Sequence, residues 1–154
     1  MKIFYINTLL ASCLSLYAFS QEKMKEPLPL AIQICETDLQ WQETKPPLLP
    51  GAQVAVIDGN PKTEGHFTMR IILPPYYKVP SHIHPVDERT TVLRGSISIG
   101  FGDVMDTTKI TKLTAGCFYM NPKGVHHYFF TSGEETEIQI STNGPFGLEL
   151  IGKK

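Results

Sequence analysis

The segment Pro80-Ser81-His82-Ile83-His84-Pro85-Val86-Asp87-Glu88-Arg89-Thr90-Thr91-Val92-Leu93-Arg94-Gly95 holds two histidines two residues apart and an acid of the same parity. On a strand, residues two apart share a face and sit about 7 Å apart along the chain, so both imidazoles can reach one ion. Two imidazoles and a carboxylate suit a hard or borderline cation. An isolated His-x-His also arises from a pair of partly exposed strand residues, and Pro85 interrupts strict strand geometry, so the segment needs support from elsewhere. That support is a second segment, in which Gly116, Pro122, Gly124 and His127 fall in the pattern G-x5-P-x-G-x2-H. Of the five histidines in the chain, four lie between positions 82 and 127, a clustering that composition does not explain.

Around these segments run short stretches rich in Val, Ile, Thr, Phe and Tyr: 52–57, 67–73, 90–93, 96–101, 109–113, 117–120, 126–131 and 137–142. Turn signals separate them, among them Asp58-Gly59-Asn60-Pro61, Arg94-Gly95, Asn121-Pro122-Lys123-Gly124 and Asn143-Gly144-Pro145. Eight short strands at this spacing, with no long run at helical period, predict an all-β sandwich or barrel. Residues 21–50 read as a Pro-rich arm, because Pro27, Pro29, Pro46, Pro47 and Pro50 forbid a long helix; one short strand is expected near Leu39 to Trp41. The barrel domain is placed at 51–152.

The first 20 residues read as a signal peptide. Met1-Lys2 precedes an uncharged stretch from Ile3 to Phe19, a charged run follows from Gln21, and Ala18-Phe19-Ser20 offers small residues for cleavage after Ser20. A periplasmic or secreted location follows. Two other readings are weighed: a membrane-spanning helix, opposed by Asn7, Thr8, Ser12 and Ser15 and by a length at the short limit, and the lipobox-like Leu10-Ala11-Ser12-Cys13, which would anchor the chain to a membrane by acylation of Cys13. Loss of the signal leaves Cys35 and Cys117, which could pair in an oxidising compartment, or remain as free thiols with Cys117 buried. The 14 basic and 15 acidic residues give a net charge of -1, with no Lys/Arg run longer than two, so nucleic acid is not expected as a partner.

Together the two histidine segments resemble the two motifs of the cupin superfamily. The first motif, G-x5-H-x-H-x3,4-E-x6-G, is met from His82 through His84 and Glu88 to Gly95; the second, G-x5-P-x-G-x2-H-x3-N, is met from Gly116 to His127. Tyr76 stands in place of the opening Gly of the first, and Thr131 in place of the closing Asn of the second, which puts local turn geometry in question. The wider stretch is similar to a small group of exported single-domain cupins of the type-2 kind. The resemblance implies a double-stranded β-helix (jelly-roll) barrel and metal ligation by His82, His84, Glu88 and His127. The ion is one divalent transition metal, with Fe, Mn, Zn, Ni and Cu all open, and an octahedral ion would keep two positions free. The resemblance also implies a small-molecule ligand, and a homodimer formed by strand exchange to which the arm could contribute.

Alternation sends His126 to the face opposite His127, so it is read as a non-ligand, whereas Phe129 shares the face of His127 and would wall a pocket. Two placements are open for Arg70: inside the barrel, holding a substrate carboxylate, or on the solvated outer face. Gln139 and Ser141 pose the same question. Asp87 is a surface acid or an acid that orients a ligand, and Tyr76, Tyr77, Phe101, Tyr119 and Phe146 are read as barrel core. Metal hydrolysis on an α/β barrel, another setting for His-x-His, needs about 250 residues. Two functions therefore compete: a metal-dependent enzyme of dioxygenase or isomerase type, and a non-catalytic module that binds or senses a metal or small molecule.

Overall fold

The computed structural model describes residues 31–48 and 50–152. The proposed signal segment with Cys13, and the arm before residue 31, lie outside the described residues. The chain divides into two units, 1–32 and 33–154; only the exposed Ala31 and Ile32 of the first are described, and all that follows concerns the second.

After a 3₁₀ turn at Glu36–Asp38 come β1 (Gln42–Glu43), β2 (Gln53–Asp58), β3 (Gly65–Leu73), β4 (Lys78–Ile83), β5 (Glu88–Arg94), β6 (Ser96–Phe101), β7 (Ile110–Thr114), β8 (Phe118–Asn121), β9 (His127–Thr131), β10 (Thr136–Gly144) and β11 (Glu149–Leu150). They form two antiparallel sheets, in the orders β1-β2-β3-β10-β5-β8 and β11-β4-β9-β6-β7. The β-branched runs become β2, β3 and β5 to β10, with ends within two residues of those expected. The short strand near Leu39 to Trp41 falls instead at β1, which pairs with β2.

Sequence alone does not indicate β4, because Pro80 interrupts it and Pro85 follows it. In the fold Pro80 occupies an irregular part of the β4–β9 ladder, between Val79 and His82, where a missing N–H costs little. Between β5 and β6 the chain passes from one sheet to the other at Gly95, whose φ of 72° favours glycine and whose position leaves no room for a Cβ against the Glu135 carbonyl and Thr136.

The alternation in β3 puts Phe67, Met69, Ile71 and Leu73 inside, and β10 matches them with Ile138 and Ile140. From the opposite sheet Val79, Ile97, Ile99 and Phe129 complete the core between the two layers. Removing such side chains from water supplies the main stabilisation, roughly 1.5–3 kcal/mol for each large one. The core does not fill the whole interior: a cavity of about 630 Å³ remains, and His82, His84 and Glu88 are among the residues that line it.

Candidate metal centre

Three strands supply the polar cluster. His82 is in β4, directly opposite His127 in β9; His84 follows β4, and Glu88 opens β5. All four residues are buried, His82 and His127 with no exposed surface. The imidazole nitrogens of His82, His84 and His127 lie within 4.8 Å of one another. Glu88 Oε2 is 3.6 Å from His84 Nε2 and 3.2 Å from His127 Nε2.

Backbone carbonyls fix how each ring is protonated. His82 Nδ1 is 2.7 Å from the Pro80 carbonyl, His84 Nδ1 is 2.6 Å from that of Gly147, and His127 Nδ1 is 3.1 Å from that of Val125. A carbonyl only accepts, so in each neutral ring Nδ1 carries the proton and donates, which leaves the Nε2 lone pair turned to the cluster. His82 Nε2, His84 Nε2 and Glu88 Oε2 are buried with no hydrogen-bond partner. Buried acceptors facing one another repel unless a cation or proton lies between them. The donor set thus fits a divalent ion, and these four residues could hold one.

Electrostatics agree with neutral imidazoles. Burial pushes the His82 pKa down to about 3, and repulsion from His127 adds to it. Burial also lowers that of His84, against the pull of Glu88. Burial works against charge on Glu88, but the close contact with His127 and the charge that the surrounding imidazoles can carry outweigh it, and its pKa falls below the usual carboxylate value.

The carboxylate is held from behind. Thr90 donates to Glu88 Oε1 at 3.2 Å and Tyr119 donates to the same oxygen at 3.1 Å, which leaves Oε2 as the atom facing the imidazoles. Burial raises the Tyr119 pKa well above its ordinary value and the Glu88 charge raises it further, so the phenol stays a donor. Asn121, fully buried, approaches His127 Nδ1 to 2.6 Å through its amide, while its oxygen has no partner. With the amide oxygen turned to that Nδ1–H, the close approach becomes a hydrogen bond that the ring donates. The sequence reading did not find these three residues as supports. Thr90 shares the parity of Glu88 and was within reach of that argument, whereas Tyr119 and Asn121 reach the site only through the pairing of β8 with β5.

Of the residues expected in the barrel core, Tyr77 is buried, whereas Tyr76 and Phe101 are exposed. His126 is away from the cluster, 2.6 Å from Asp103. Phe129 lines the cavity. Arg70 is on the outer face, where it pairs with Glu137 and donates to Gln139, so it holds no ligand inside; Ser141 shares that face and bonds to Thr68. Asp87 is a surface acid that braces the two motifs, accepting from the Lys123 backbone N–H at 3.0 Å and pairing with Arg89. Phe146 is only partly buried and stacks on His84 with ring centroids 4.6 Å apart. Cys35 and Cys117 are free thiols, Cys35 exposed and Cys117 partly so.

Both motif departures have a structural account. Tyr76 takes the left-handed conformation, φ 59°, that suits glycine. Thr131 donates to the Pro74 carbonyl at 2.7 Å and accepts from the Tyr77 N–H at 2.8 Å, tying β9 to the loop before β4.

A family model described as a domain of unknown function, DUF4437, matches residues 34–148. The chain belongs to this family. With two antiparallel sheets and both histidine motifs assembled at one site, this DUF4437 chain is a cupin. Its fold is similar to that of the polyketide cyclase RemF from Streptomyces resistomycificus, with 16% identity, a TM-score of 0.69 and coverage of 81% of this chain and 88% of that one. It is also similar to KdgF from Halomonas sp., at 14% identity and a TM-score of 0.56, covering 71% of this chain and 89% of that one. Germin-like protein 9-3 of Oryza sativa subsp. japonica is 30% identical over 82 residues, which are 53% of this chain and 38% of the relative. A second germin-like protein of that plant is 33% identical over 75 residues. The matched segments therefore span little more than a third of either curated relative. Among the described residues no helix is long and apolar enough to cross a membrane.

Proposed function

We propose that this cupin binds one divalent transition metal through His82, His84, Glu88 and His127 and acts on a small molecule in the adjoining cavity. The observation that carries the reading is the set of buried acceptors, His82 Nε2, His84 Nε2 and Glu88 Oε2, with no partner but one another. A divalent ion held by these residues would supply Lewis-acid polarisation or oxygen activation, which fits isomerase-like or dioxygenase-like chemistry. The chain itself fixes the imidazole tautomers through carbonyls, presents one carboxylate oxygen, and keeps bulk water from the cluster by burial. A non-catalytic binding or sensing role is the second reading. It is favoured by the largely apolar walls of the cavity, whose charged lining residues outside the cluster, Glu43, Lys45 and Lys62, are all exposed. Export by the segment 1–20, and dimerisation through the arm 21–50, belong to the same proposal.

Metal analysis of purified protein tests the site. One transition ion per chain is expected, before or after reconstitution; His84→Ala should lose it and His126→Ala should keep it. No metal under either condition, or equal loss in both variants, would refute the assignment.

A further inference from the structure

We infer that the ligand of this cavity is an apolar, ring-sized or larger molecule that presents a pair of oxygen donors to the imidazole cluster and carries no charge along its body. This rests on the metal reading above for the oxygen end; the apolar body rests on the walls alone. About 630 Å³ is within the range of cavities that enclose drug-sized ligands. Its walls are Val54, Met69, Ile71, Phe129, Ile138 and Ile140, drawn from both sheets. Phe146 adds an aromatic face that continues from the His84 ring.

Polar lining residues outside the cluster come from two segments, 42–45 and 60–62. The charged ones there, Glu43, Lys45 and Lys62, are all exposed. The one cation that alternation could have sent inward, Arg70, is paired on the outer face. A sugar in this cavity would press hydroxyls against wall carbons with no partner, and a polycarboxylate would bring charge into the same apolar space; both lose hydration without replacement. A hydrocarbon ring loses nothing there. At the cluster, an octahedral ion held by the four residues would have two positions left, which two adjacent oxygens could fill.

The test is calorimetric titration of protein reconstituted with Zn(II), using tropolone, 4-isopropyltropolone and malonate, with zinc content measured on each sample. The isopropyl group moves three carbons from water to the wall, so 4-isopropyltropolone should bind about tenfold or more tighter than tropolone, and malonate should bind weakest. Val54→Gln, at a partly exposed wall position that tolerates the change, should narrow the ratio between the two tropolones to below about threefold with zinc content unchanged; Ile140→Asn, deeper in the wall, should do the same where it folds. Equal affinities for the two tropolones, or malonate as the tightest ligand, would overturn the inference. Absence of zinc would instead refute the metal reading, and the ratio is then read on the zinc-free protein: tenfold or more supports the apolar body, and a ratio near one overturns it.

Discussion

Acid should destabilise the metal-free protein through His82 in a way that a single substitution isolates. His82 is fully buried and its pKa is pushed down to about 3, against an ordinary value of 6.5. A group with a lowered folded pKa contributes stability above its unfolded pKa and loses it as pH falls, because the unfolded chain takes up a proton that the folded one refuses. The window therefore opens near pH 6.5 and closes near pH 3. Between pH 7.5 and 5.0 the unfolded imidazole becomes almost fully protonated while the folded one stays neutral, which costs about 2 kcal/mol at 1.36 kcal/mol per pKa unit. His84 and Glu88, both with lowered pKa values, push in the same direction, with His84 contributing in the same window and Glu88 below about pH 4.5. Against a typical stability of about 5–15 kcal/mol this is a large fraction. The assay is urea unfolding of chelator-treated protein at the two pH values, for wild type and His82→Asn. Whatever the substitution costs at pH 7.5, it should reduce the pH-dependent loss by about 2 kcal/mol. A wild type equally stable at both pH values, or a variant with the wild-type dependence, would refute the view that His82 is held neutral by burial.

Bound metal should be retained through about pH 6 and be lost only as pH falls further, since the lowered pKa values of His82 and His84 delay competition by protons for their Nε2 lone pairs; a competition titration with a chromophoric chelator reads this, and loss already complete at pH 6 would point to a different donor set. Tyr119→Phe and Thr90→Val each remove one hydroxyl from Glu88 Oε1, and each should weaken metal affinity about 10- to 100-fold without abolishing it; unchanged affinity in both would mean the carboxylate needs no support. Tyr76→Gly should raise stability by roughly 1 kcal/mol, because it removes a left-handed non-glycine residue whose side chain is 74% exposed and packs little; a lower melting temperature would show that the contact of its ring with Gly133 outweighs the strain.

Much of this site is legible in the sequence, and for a definite reason. His82, His84 and Glu88 are close in sequence and share a parity, and the turn glycines and Pro122 mark where the two segments bend, so local spacing exposes the two motifs whose resemblance implies the donor set. The strands β2, β3 and β5 to β10 were legible because alternation and β-branched runs are properties of a few consecutive residues. What lies outside that range depended on distant partners. β4 forms because β9 and β11 flank it, despite Pro80; Tyr119 comes to Glu88 because β8 pairs with β5, and Gly147 comes to His84 because the chain returns after β10. The outward turn of Arg70 is of the same kind, decided by Glu137 and Gln139 across the sheet. The sequence by itself determined the all-β class and the two motifs, since both are written in short-range spacing, and the resemblance of those motifs supplied the four candidate donors. Only the tertiary structure decided that the four candidate donors converge, that His82 Nε2, His84 Nε2 and Glu88 Oε2 are left unpartnered, and that these three residues line a largely apolar cavity, because register between strands and the choice of inward face are set by packing across the two sheets.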